Sequence, residues 1–161
     1  MNSLGRWLRP EWAVTAFTLW RSLVLIEGWR HAPLERAAWV MFLVWLVPLG
    51  VFTWRAATGP SLPTTNRPIW PFIPALLLTL VGTLGSLNAL CYVGLAFALV
   101  GLTGWSWWHW LWLATAVSWM PVFGWLAQGL GLNLLFAVRL AVALAGVVIA
   151  FRWILPRTSP S

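Results

Sequence analysis

Between Arg67 and Arg139 the chain runs through 71 consecutive residues, Pro68 to Val138, without one Asp, Glu, Lys or Arg. A water-soluble fold of that length needs charge on the surface that faces water. Hydrocarbon imposes the opposite rule, because a charge there is costly and an apolar side chain is not. The stretch therefore reads as part of an integral membrane protein, an all-α polytopic bundle of transmembrane helices occupying residues 1–161 as one domain.

Composition points the same way. The chain is 61% hydrophobic and 8% charged, against roughly 25% charge in ordinary globular domains. All ten basic residues are Arg, and the three acids, Glu11, Glu27 and Glu35, all lie in the first quarter. Nothing after Glu35 can act as a carboxylate. The net charge of +7 does not point to nucleic acid, since the arginines stand singly at segment ends, where they suit anionic headgroups and orientation control. The lone Cys91 excludes an intrachain disulfide and a multi-cysteine metal site. No phosphate loop, metal-ligand cluster or serine triad is present, so neither a cofactor nor a metal is expected.

A spanning helix needs about 20 apolar residues. Arg6 and Arg9 precede an apolar run as in a signal peptide, but Arg21 interrupts that run and no small-x-small cleavage site follows closely. A retained helix is the better reading. Trp12–Trp29 carries Arg21 and Glu27, so it either spans or lies in the interface. Ala37–Trp54 spans, with a kink expected at Pro48, and residues 55–69 form a polar loop. Trp70–Gly104 is two short spans broken at Gly85-Ser86-Leu87-Asn88. Trp105–Leu126 is a fifth span bent at Pro121, and Asn133–Leu155 is a sixth, stopped by Pro156.

With six spans, Arg6, Arg9, Arg55, Arg67, Arg152 and Arg157 share one side, and Arg30 and Arg36 the other. That bias places both termini in the cytoplasm of a cell whose inner membrane holds the protein. With five spans the split is even and orientation is undetermined.

Few side chains offer chemistry. Trp105, Trp107, Trp108, Trp110 and Trp112, with His109 among them, form either a platform for a bound ring or tail, or an interfacial belt. The belt is the plainer reading, and Trp105, Trp108 and Trp112 are then lipid or partner contacts. Small residues four apart, at Gly82/Ser86, Gly94/Ala98 and Ala137/Ala141/Ala145, read as close helix packing. Arg139 lies about 9 Å into the last span and needs an anion. Glu27, helix-end carbonyls, an indole face, a lipid phosphate and a partner's carboxylate all qualify, as does snorkelling to the headgroups. Cys91 and His109 fall about 20 Å apart along the fourth span, too far for a nucleophile–base pair. Cys91, His31 and Arg139 share a depth and remain the candidate catalytic set.

The stretch PSLPTTNRPIWPFIPALLLTLVGTLGSLNALCYVGLAFALVGLTGW, with Trp119-Met120-Pro121 beyond it, resembles the membrane scaffold of the exosortase/archaeosortase family over roughly Ala37–Leu126. The resemblance implies a multi-span relative of cysteine transpeptidases that process C-terminally anchored surface proteins with Cys, Arg and His. Cys91 lies outside the family's cysteine motif and no His follows Arg139. The expectation is thus a truncated, non-catalytic relative, an accessory or assembly subunit whose partners are the bilayer and a membrane protein or a second copy of itself. The alternative is a membrane-embedded cysteine transpeptidase-like enzyme using Cys91, Arg139 and His31.

Overall fold

A computed structural model describes residues 10–32, 35, 37–58, 68–126, 129 and 131–154. The described chain is all-helical. The elements are α1 (Pro10–Arg21), α2 (Val24–His31), α3 (Ala38–Thr58), α4 (Phe72–Leu84), α5 (Asn88–Gly101), α6 (Trp107–Thr115), α7 (Pro121–Leu126) and α8 (Leu132–Ile149). A 3₁₀ turn, Ala116–Trp119, extends α6, and a π-helical turn, Ala150–Ile154, extends α8.

The helices form two layers. In one, α4 and α5 make an antiparallel hairpin crossed by α1; in the other, α3 packs on α8, which also meets α6 and its 3₁₀ turn. The core lies between the layers. Tyr92, Leu95, Leu99 and Val100 of α5 meet Met41 and Trp45 of α3 and the buried Trp112 and Trp119. Three of its side chains are tryptophans with no exposed surface, Trp45, Trp112 and Trp119. A buried indole gains from an acceptor; among the described residues Trp112 and Trp119 Nε1 have none. Trp45 Nε1 finds two, Trp112 O at 3.2 Å and Thr115 Oγ1 at 3.1 Å.

Glycine sets the hairpin spacing. A Cβ on Gly94 would lie 2.8 Å from Ala75 O and run into Thr79 Oγ1, and one on Gly82 would lie 2.8 Å from Cys91 Sγ. The four-residue spacing at Gly82 and Gly94 thus marks close packing, as expected. The alanine strip does not: Ala137, Ala141 and Ala145 are all exposed, while Leu135, Arg139, Ala143 and Gly146 form the inner face of α8. The hairpin turns where Gly85–Asn88 predicts. Ser86 takes φ +55° and Leu87 N–H donates to Gly82 O at 2.7 Å, the six-to-one closure of a helix C-terminus.

Among the described residues two helices are long and apolar enough to cross a membrane, Ala38–Arg55 within α3 and Leu132–Ile154. The remaining apolar segments are shorter or interrupted. The first breaks at Ser22-Leu23, which separates α1 from α2, and α4 and α5 have 13 and 14 residues. The fifth breaks at Met120, whose extended backbone (ψ 141°) is what a residue before proline prefers. Pro121 therefore starts α7 instead of bending a continuous helix. Most of the polar loop and the stop at Pro156 lie outside the described residues.

Candidate functional site

The charge that the sequence leaves without a partner has one. Arg139, on the inner face of α8, is 1% exposed, and its Nη2 donates to both carboxylate oxygens of Glu35, each at 2.8 Å. Glu35 sits in the connection before α3 and is buried. The approach is permitted by Gly124 of α7, where a Cβ would overlap Glu35 Oε1 and lie 2.8 Å from Arg139 Nη2. The Phe123 ring faces the guanidinium at 5.6 Å, an attraction that strengthens away from water. Arg139 Nε and Nη1 are buried without a hydrogen-bond partner. Burial pushes the Glu35 carboxyl above its ordinary value, and the Arg139 hydrogen bond and charge offset that only in part.

The pair changes the reading of Arg139. A guanidinium that is 1% exposed and bound to its own chain neither snorkels nor presents a free charge to lipid or to a partner. Glu27 is exposed and is not its partner. The six-span expectation puts Glu35 and Arg139 on the same side of the bundle, a signal that allows the pairing without selecting it. It was obscured because Glu35 stands beside Arg36 and looks like a loop charge. Gly124 had no such signal, since one glycine near a proline reads as a simple break.

The candidate catalytic residues are not brought together. Cys91 is 1% exposed on α5, its Sγ directed at Thr79 O at 3.8 Å and wedged beside Gly82, while its carbonyl accepts a hydrogen bond from Ser22 Oγ at 3.2 Å. His31 is exposed, with Nδ1 bonded to Glu27 O at 2.9 Å, closing the last turn of α2. Among the described residues no hydrogen bond or ion pair joins any two of Cys91, His31 and Arg139. No group of three or more His, Cys, Asp or Glu side chains that could hold a metal occurs among them either.

His109 is a fold residue. Ser106 N–H donates to its Nδ1 at 2.7 Å, which places the ring proton on Nε2, where Thr103 Oγ1 lies at 3.1 Å. Thr103 Oγ1 in turn donates to Val100 O at 2.8 Å. The ring thus ties the start of α6 to the end of α5. Cys91 lies near the start of α5, about 15 Å of helix before Gly101, whereas the His109–Thr103 contact lies past the end of that helix.

The tryptophans divide by depth. Trp105 is half-buried in a cluster, 4.5 Å between ring centroids from Trp70 and stacked on His109 at 5.6 Å. Trp108 stacks on Trp153 at 4.4 Å. Trp107 is 70% exposed. Trp112 corrects the belt reading: it has no exposed surface and belongs to the core, one helical turn deeper than Trp108.

Compared with protein-family models, curated proteins and solved structures, the chain matches none.

Proposed function

We propose that this chain is a non-catalytic, multi-span membrane protein, a truncated relative of the exosortase/archaeosortase scaffold that serves as an accessory or assembly subunit. It resides in the inner membrane with both termini in the cytoplasm. The observation that carries the reading is the separate employment of Cys91, His31 and Arg139: a thiol packed in a helix hairpin, an exposed helix end and a buried ion pair. A cysteine nucleophile needs an adjacent base or cation to form its thiolate, and among the described residues the thiol of Cys91 meets the carbonyl of Thr79 instead.

The outer surface supports the membrane and partner parts of the proposal. Leu43, Val47, Leu77, Leu84, Leu144 and Val148 are all exposed large hydrophobics, which suits lipid. The exposed strip Ala137, Ala141, Ala145 leaves α8 flat enough for a second helix to approach closely.

One variant and one co-purification in the native host test it. Cys91→Ala should leave the phenotype and the expression level of the chain unchanged. Co-purification in mild detergent should recover a membrane protein partner or a second copy. Loss of the phenotype in a Cys91→Ala protein that still accumulates and remains folded would favour the cysteine transpeptidase-like alternative.

A further inference from the structure

The two layers of the bundle differ in apolar height. We propose that the α1–α4–α5 layer locally thins the bilayer that surrounds it, so that lipid on this side is held to a hydrocarbon depth well below that matched by α3 and α8. The proposal rests on the membrane reading above and adds a lipid-shaping surface to it.

Trp70, Trp105 and Trp110 cluster at one end of the bundle, level with the stacked Trp108 and Trp153. From Trp70, in the turn that leads into α4, to Leu84 the rise is at most about 21 Å. There the chain turns through exposed, polar Ser86 and Asn88. At that end Arg21 Nε donates to Thr83 Oγ1 at 3.0 Å, so a guanidinium marks the same level. Counting back from Trp153, Arg139 and its partner Glu35 also lie about 21 Å from the tryptophan end. In α1, Glu11 and Arg21 bracket only nine apolar or hydroxyl side chains, about 15 Å of helix. The outer face of α4 is apolar throughout this short height: Ile73, Leu77, Leu80 and Leu84 are all at least 40% exposed.

The other layer is taller. Leu132–Ile154 is 23 residues, about 34 Å, and keeps exposed Leu132, Leu134 and Phe136 beyond the level of Arg139. Ordinary hydrocarbon is about 30 Å thick. It fits α8 and overtops the hairpin by about 9 Å. A hydrocarbon layer that rose past the tip would bury Arg21, Ser86, Asn88 and the open backbone of the turn, which lipid cannot hydrogen-bond. Lowering the lipid avoids this, as membranes do around short spans.

The test reads the water boundary at the tip. Single cysteines replace Ser86, Leu77 or the exposed Gly129 before α8 in a Cys91→Ala chain, and a membrane-impermeant maleimide is applied to opened native membranes. Ser86→Cys should react within about threefold of Gly129→Cys, while Leu77→Cys reacts at least about tenfold more slowly, because thiolate forms in water and not in hydrocarbon. Ser86→Cys protected as fully as Leu77→Cys would overturn the proposal, with the membrane reading intact. Fast reaction at Leu77→Cys would instead overturn the membrane reading itself. The unmodified chain gives an independent measure in vesicles. Its thermal midpoint should be higher in lipids with acyl chains of about 14 carbons than of about 22, and the reverse order would also overturn thinning.

Discussion

Arg139 shows how much one residue can settle. An unpaired guanidinium in an apolar interior costs several kcal/mol, so it must find an anion or reach water. It finds Glu35 at 2.8 Å, 104 residues away in sequence, and ties the start of α3 to α8. Removing one partner leaves a buried charge. Glu35→Leu and Arg139→Leu should each destabilise the chain by about 3–5 kcal/mol, and the double variant should recover most of that loss. A double-mutant cycle of denaturation in detergent micelles checks it; additive losses would show that the two charges do not pair. The pair also has a pH signature. Glu35 has a raised carboxyl pKa in the folded chain, so the folded state holds a proton where the unfolded chain has released it. The resulting stability is full below the ordinary value of 4.5 and is lost as pH rises through the raised value. Glu35→Gln should flatten that slope. Sequence made the need for an anion plain but could not supply the partner, because pairing across 104 residues is decided by tertiary contact.

At the scale of elements, the hydropathy pattern marks which segments avoid water and says less about where each helix stops. The centre of α3 and the turn at Gly85–Asn88 were legible, since arginines bracket the first and polar, flexible residues mark the second. The breaks at Ser22-Leu23 and Met120-Pro121 divide segments that look continuous by composition. The α4–α5 hairpin carries its own test. Ser86 holds a left-handed φ of +55° with a side chain that glycine would not carry. Ser86→Gly should therefore raise stability by about 0.5–1 kcal/mol. Gly94→Val should do the opposite by more than about 2 kcal/mol, since its side chain must displace Thr79 and the α4 backbone. Both are read from thermal or denaturant midpoints of the purified chain.

At the scale of the whole molecule, two helices apolar enough to cross a membrane stand beside candidate residues, Cys91, His31 and Arg139, that no hydrogen bond or ion pair joins among the described residues. The tryptophans illustrate the limit of reading solvent alone. Sixteen indoles in a membrane chain suggest boundary belts, and Trp107 and Trp54 are exposed as a belt requires, yet Trp45, Trp112 and Trp119 fill the core. Composition identifies the residue type, and only packing decides which face it takes. On the proposed membrane reading the chain should stay with the membrane through alkaline carbonate washing and leave it only in detergent; release by carbonate would contradict that reading. The non-catalytic reading is tested by the reactivity of Cys91, the chain's one thiol, in native-host membranes. A small alkylating reagent should leave it unmodified until denaturant opens the α4–α5 hairpin, whereas rapid, stoichiometric alkylation of the folded protein would reveal an activated nucleophile and contradict the non-catalytic reading.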